Sequence, residues 1–482
     1  MGEERERRVV PAREILAKIE RGEDVEYDNV IVEGDLDISG LDLPIEHVER
    51  SEFQLKLGSA GKLVVVSSEI NITGSEVHGK VDFSNGFMRK RINFAGTQFD
   101  NQAVFLNAYF NNYSRFEEAK FRYYSSFVGA RFKIHAGFEG ARFSSNADFE
   151  GAIFSNYAGF DGAQFGGKTD FRLAQFGGVT RFSYTKFGGD AKFKGAEFRG
   201  YANFERANFS ENAGFRETKF TGRNVYFWGA KFTGRNADFG NAKFTGGEAD
   251  FSRAEFIGCD ANFIRAEFCK NADFWNSDFR RDALFSYTVF DGDVYFWDVK
   301  FGGNAEFYGA TFGKKLSLSH LRFNLLYINW AQIKDSLIYD GPAYLALIKN
   351  FKVIERFADA EDCYYEYRKQ SQSKKKWYSD EGGWDWSKLP DVIACISCGY
   401  GVRPLHTILC MSGVIFISWI FFLGYFDSLF ESFYFSVMTF TGSKQNDVTP
   451  DMLFRSVVLI EAILGYLFMA LFVVVLARKL IR

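Results

Sequence analysis

At 482 residues and 47% hydrophobic content, the chain has length for two or three domains and ample material for a core. Its 58 basic and 61 acidic residues nearly cancel, which excludes a whole-molecule attraction to nucleic acid. Phenylalanine is the outlier of the composition, with 57 copies, and these are ordered rather than scattered.

In chain order, the start "MGEERERRVV" is charged and lacks an apolar run, which predicts no secretory signal and a cytoplasmic N-terminal part. "PAREILAKIERGEDVEY" predicts a short helix with Ile15, Leu16 and Ile19 on one side, ended by Gly22, and "VIVEGDLDISGL" predicts entry strands that cap a repetitive segment. From Phe94 to Phe312 the phenylalanines then fall in pairs five apart, restarting every eleven residues, or every twelve between Phe215 and Phe263. The pattern begins with Ile72, Val77, Phe83 and Met88 and fades at Leu318 and Phe323. Residues five apart lie about 140° apart around an α-helix, so the two rows would not share a helical face. A small residue usually stands two before each Phe, as in Ala191-Lys-Phe193 and Ala196-Glu-Phe198, and positions i−2 and i share one side of a strand. Short extended sides turning a corner every five or six residues predict a coiled solenoid with a stacked Phe core.

These residues resemble the pentapeptide-repeat family over roughly 72–323, and the resemblance implies a right-handed quadrilateral β-helix with four sides per coil. The chain departs from a strict five-residue repeat by an added residue at alternate corners. Two units per coil, about 4.8 Å apart, imply a rod of roughly 50 Å. Beyond it, "AYLALIKNFKVIERF" and "ADAEDCYYEYRKQ" carry helical spacing (Tyr344, Leu347, Phe351, Ile354; Ala360, Tyr364, Tyr367) and predict a helical hairpin. "SQSKKKWYSDEGGWDWSK" reads as a charged surface connector, with Trp384 and Trp386 suited to a membrane interface.

The last ninety or so residues suit a different solvent. Residues 404–426 contain no Asp, Glu, Lys or Arg, and residues 456–477 contain only Glu461, so each run is long enough for one membrane crossing. Basic residues at 374–376, 388 and 403 precede the first run, and Arg478, Lys479 and Arg482 follow the second, which predicts both ends inside and residues 427–451 outside. Between the runs, "SLFESFYFSVMTF" is too hydrophobic for solvent and too short to cross, and it predicts a re-entrant half-helix.

Here "YFSVMTFT" resembles the pore helix of two-transmembrane potassium channels, and the whole resembles archaeal or bacterial pentapeptide-repeat proteins fused to such a module, including "CGYGVRP" at 398–404. The resemblance places a pore loop at Thr441, Gly442, Ser443, Lys444, Gln445, Asn446 and Asp447, with Pro450 after it, and a pore-lining helix carrying Glu461 and a hinge-like Gly465. It implies a homotetramer around one axis, in contact with membrane lipid and a transported ion. The glycines that let a potassium filter point its carbonyls inward are replaced, so selective potassium conduction is not expected. An inward Lys444 would form a ring of positive charge, whereas one paired with Asp447 would leave Ser443, Gln445 and Asn446 lining a wider opening. Glu461 either hydrogen-bonds the back of the pore helix near Ser436 or Thr439, or coordinates an ion.

The chain thus reads as mainly β: residues 1–60 an N-terminal helix and capping strands, 61–325 the β-helix, 326–386 the hairpin and connector, and 387–482 the two-helix transmembrane module with its re-entrant loop. No catalytic set, cofactor motif or metal site is expected; Cys395 and Cys398 lack a second pair, and His47, His78, His135, His320 and His406 are scattered. The expected function is a membrane ion-channel-like subunit whose cytoplasmic solenoid assembles it, regulates it or binds a protein partner. The alternative is a non-conducting membrane-anchored scaffold. Mimicry of DNA would need an acidic rod, yet residues 181–220 hold eight Lys or Arg against five Asp or Glu.

Overall fold

The computed structural model describes residues 7–49, 54–55, 61–378, 386–443 and 451–480. The chain divides into two compact units, Met1–Ile338 and Tyr339–Arg482.

The first unit is a β-solenoid. Its strands are mostly two residues long and pair with the equivalent strands of the coils before and after in parallel register, as Phe187 with Phe209, Phe198 with Phe220 and Ala202 with Val225, while Ile45–His47 pairs antiparallel with Lys62–Val66 at the end of one ladder. Two ladders of thirteen strands each form two sides, and a 25-stranded sheet folds around the other two. The step between coils is 22 residues where the Phe restart is eleven, as from Phe121 to Phe143, and 24 where it is twelve, as from Phe220 to Phe244. The additional residues therefore sit in the corners, and the sides keep their register.

Inside, each Phe lies on its counterpart one coil away. Phe193 and Phe215 stack with ring centroids 4.7 Å apart and planes 2° from parallel, while Phe193 meets Phe204 of the opposing column edge-on at 5.6 Å and 89°. Both are favoured aromatic geometries, and the rings, like the alanines two residues before them, are fully buried. The corner after each central Phe is a four-residue turn closed by a hydrogen bond, as from Ala207 N to Phe204 O at 3.1 Å. Its third residue is left-handed, filled by glycine at Gly195 (φ 69°) but by Leu173 (φ 58°) one coil earlier. At another corner Gly178, Gly200 and Gly222 stack so closely that a Cβ on one would fall on the carbonyl oxygen of the one before.

The solenoid starts earlier than the Phe pattern. Val9–Pro11 pairs with Ile31–Glu33, which pairs with Glu76–Val77, and Val25–Asp28 pairs with Ile70–Thr73. The entry strands are thus coils in the same ladders, with Val10 and Val32 in register with the Phe column and Val25 and Leu36 in register with the small-residue column. Thirteen strands per ladder, at a spacing of about 4.8 Å, give a length of about 58 Å, longer than the Phe pairs alone imply. Helix α1 (Ala12–Glu20) packs Ala12, Ile15 and Ile19 inward and ends before Gly22, which is left-handed at φ 72°. At the far end α2 (Trp330–Ile333) buries Trp330 and Ile333, and Gln332 Nε2 donates to the carbonyls of Phe307 (3.1 Å) and Ala310 (2.8 Å), which satisfies backbone that no further coil covers.

The second unit is helical: α3 (Gly341–Val353), α4 (Phe357–Lys374), α5 (Leu389–Cys398), α6 (Pro404–Phe422), α7 (Leu429–Phe440) and α8 (Met452–Leu480). Helices α3 and α4 form a hairpin around Tyr344, Leu347, Phe351 and Cys363. The reading of a connector from Ser371 is corrected in part, since Ser371–Lys374 complete the last turn of α4. Of the two tryptophans assigned to a membrane interface, Trp386 is exposed and Trp384 lies outside the described residues.

Removing one ring tests the stacked core. Phe193→Ala should cost about 3–5 kcal/mol, and Phe193→Leu clearly less. Amide hydrogen exchange should quicken in the coils that carry Phe171 and Phe215 and leave the ends of the solenoid unchanged, because coils contact only their neighbours.

Candidate functional site

Helices α6 and α8 are 19 and 29 residues long, and an 18-residue stretch of each has mean hydropathy 2.0 and 2.6, sufficient by length and composition to cross a membrane. Large apolar side chains remain exposed along both, including Ile417, Leu459 and Val474.

Helix α7 lies against both. Ser428 caps its N-terminus, and Ser432, Phe435, Ser436 and Thr439 turn inward while Leu429 and Phe430 stay exposed. Twelve residues span about 18 Å, well short of a roughly 30 Å hydrocarbon core. Phe435 packs between Phe422 of α6 (4.9 Å) and Phe454 of α8 (5.5 Å). At the next residue, Ser436 Oγ lies 3.0 Å from the Ile415 carbonyl of α6 and 2.5 Å from Glu461 Oε1 of α8, so a single hydroxyl joins three helices. Glu461 is buried, and the hydrogen bond to the back of α7 that the structural reading of this residue requires is present. A Cβ on Gly465, one turn further along α8, would fall on the Phe440 carbonyl oxygen. Glu461 and Gly465 therefore share the face that receives α7.

The end of α7 is a Schellman cap. Gly442 N donates to Thr439 O and Ser443 N to Met438 O, both at 3.0 Å, with Gly442 left-handed at φ 77°. Thr441 Oγ1 turns back to the Val437 carbonyl at 3.0 Å. Gly442, assigned from the sequence to the pore loop, is used here to end the helix. Lys444, Gln445, Asn446, Asp447 and Pro450 lie outside the described residues. Thr439, Gly442 and Ser443 face Arg455, Leu459 and Tyr466 of α8 across a cavity of about 570 Å³. Arg455 and Tyr466 were not singled out from the sequence. The signal for Arg455 was a cation in the first turns of α8, far from Arg478 and Lys479 at its end; nothing in the sequence marked Tyr466. Asp451 N-caps α8 by accepting from Phe454 N at 3.0 Å.

The opposite end of the module is held by charge and backbone geometry. Gly399, Tyr400 and Gly401 are consecutively left-handed (φ 52°, 57° and 78°) and reverse the chain between α5 and α6, a need that explains "CGYG". Arg403 pairs with Asp362 of α4 at 2.7 Å, and the Tyr400 hydroxyl donates to Gln372 at 2.8 Å. The Arg478 guanidinium of α8 lies over the Tyr364 ring at 5.7 Å. Asp391 of α5 is gripped by both Lys375 and Arg368, each at 2.6 Å. The Lys375 hydrogen bond leads in holding its carboxyl below the usual aspartate range, with Arg368 adding to it against partial desolvation.

Because the folded-state pKa of Asp391 is depressed, its stabilisation is present above the unfolded value of about 3.9 and is lost as pH falls through the folded value. Asp391→Asn should lower the thermal midpoint by a few degrees at neutral pH, and the gap to the parent should narrow as pH falls below the unfolded value. Thermal unfolding followed by circular dichroism over that range measures it.

Comparison with protein families matches residues 116–164, 160–206, 193–243 and 274–322 to the model of pentapeptide repeats (9 copies). Comparison with curated proteins finds no match, and comparison with solved structures finds none. All the matched segments lie in the solenoid. Residues 116–243 and 274–322 of this chain are pentapeptide repeats, and they build most of its wall.

Proposed function

We propose that the chain is the subunit of a homotetrameric membrane pore, with the solenoid and the C-terminus on the cytoplasmic side. The observation that carries this reading is α7: an apolar helix too short to cross, partly exposed, and fastened to two span-length helices through Ser436, Glu461 and Gly465. A simple external loop has no need of such a fastening. One pore loop per chain requires several copies to enclose an axis, and the exposed faces of α6, α7 and α8 offer apolar area to neighbouring copies and to lipid. The excess of basic residues outside the two spans supports the orientation.

The transported species is a small ion, and the opening does not select potassium by carbonyl coordination. Gly442 is taken up by the helix cap, Lys444 to Asp447 contain no glycine, and Arg455 adds a second cation beside Ser443. The solenoid serves assembly, regulation or capture of a cytoplasmic protein. Its balanced charge gives no pull toward nucleic acid, and the role is not enzymatic. The altered filter also favours a second reading, in which the module only anchors and assembles a scaffold.

Recording from the purified protein in planar bilayers under potassium, sodium and chloride gradients, beside Lys444→Ser, separates these. Current in the parent supports the pore, and its reversal potential reports whether cationic side chains face the ion. Current in Lys444→Ser alone identifies a pore plugged by its own lysines. Silence in both, from verified oligomers, overturns conduction in favour of the scaffold.

A further inference from the structure

At the N-terminal end of the solenoid, Glu76, His78 and Asp100 converge on one point. Glu76 and His78 flank the buried Val77 on one strand side, so both point outward. Asp100 stands in the next coil, where Gln98 pairs with Glu76 and Phe99 with Val77. Backbone hydrogen bonds fix the positions: His78 N to Val32 O at 3.0 Å and Asp100 N to Val77 O at 2.9 Å.

His78 Nε2 is 3.5 Å from Glu76 Oε2 and 3.5 Å from Asp100 Oδ2, and all three ligand atoms lie within 4.8 Å of one another. Tetrahedral zinc with bonds of about 2.0–2.2 Å has ligand-to-ligand edges of about 3.3–3.6 Å, so two of the three edges have the length the metal requires. Each carboxylate also divides its work. Glu76 Oε1 accepts from Arg7 at 2.8 Å, and Asp100 Oδ1 accepts from Gln98 Nε2 at 3.0 Å and faces Arg122 at 3.2 Å. The oxygens turned toward His78 are the other two. Outer partners that orient a carboxylate while leaving one oxygen to face the ion are what a preorganised metal site uses. The acidic group Asp148, Glu150 and Asp170 is a contrast. It has no imidazole, and Arg172 bonds to Asp170 and Glu150 at 2.8 Å each, so the guanidinium already holds the place a cation would take.

We propose that Glu76, His78 and Asp100 bind a zinc-class divalent ion through three protein ligands, with the fourth position open to water or a further ligand. The ion would clamp two successive coils at the start of the solenoid. His78 is 44% exposed, so the site is reachable from solvent. Arg7 and Arg122 offset the two carboxylates, which weakens their hold on a cation.

The test is calorimetric titration of Zn²⁺ into the metal-stripped full chain in detergent, beside His78→Asn and Asp100→Asn. The parent should show one more zinc site than His78→Asn, and Asp100→Asn should weaken that site at least tenfold. Cobalt(II) should give a tetrahedral absorption band in the parent that His78→Asn lacks, and zinc should raise the thermal midpoint of the parent alone. Both variants alter exposed side chains, and their circular dichroism should match the parent. Isotherms that coincide for the parent and both variants would overturn the proposal and leave His78 as an ordinary ion-pairing histidine.

Discussion

The solenoid depends on one coincidence of distances. Parallel backbone ladders set successive coils about 4.8 Å apart, and benzene rings stacked one per coil want nearly the same separation. With Phe193 and Phe215 at 4.7 Å and Phe227 and Phe251 at 4.8 Å, the ladder and the stack reinforce each other. A smaller side chain would leave a gap that the neighbouring coils, held by their own hydrogen bonds, are poorly placed to close. This constraint fixes the register of the sides, confines length variation to the corners, and explains how coils of 22 and 24 residues belong to one wall. Left-handed corner residues follow from it as well, since each corner must turn within four residues whatever side chain stands there.

The module of α6, α7 and α8 obeys a different rule because its outer surface is apolar. Its polar groups are few, and they are found where helices must be tied together. Ser436 and Glu461 meet at the crossing of three helices, Gly465 lets the end of α7 reach the α8 backbone, and Asp451 and Gly442 cap helix ends that no neighbour continues. At the opposite end, arginines over tyrosines and the doubly gripped Asp391 hold α4, α5 and α6 to one another. The proposed pore role gives this arrangement a purpose, a short polar-tipped helix held rigidly between two longer ones.

Much of this was legible in the sequence because the signals were periodic or compositional. The Phe spacing gave the coil, its sides and its corners, and the charge-free runs gave α6 and α8. The coils before Ile72 were less legible, since Val10, Val25, Val32 and Leu36 pack the same interior without a periodic residue, and their coil is enlarged to a 45-residue step between Val32 and Val77. Helix α5 was missed because ten residues with a proline near the start look like the approach to a span. In the module, Glu461 and Gly465 stood out as exceptions in an apolar helix, and the partner of Glu461 was narrowed to Ser436 or Thr439, of which the structure pairs Ser436. Arg455 and Tyr466 did not, because their relevance comes from where α7 ends, and that is set by the left-handed Gly442. The zinc-class cluster was invisible for a related reason: Glu76 and His78 meet Asp100 only once the 22-residue coil stacks one strand on the next.

A pore built this way requires α7 to be an interior element of a multi-copy assembly. Native mass spectrometry of the protein extracted in mild detergent tests this directly. Four chains per particle, with lipid retained, is the predicted result; a single chain that stays folded and monodisperse would contradict it.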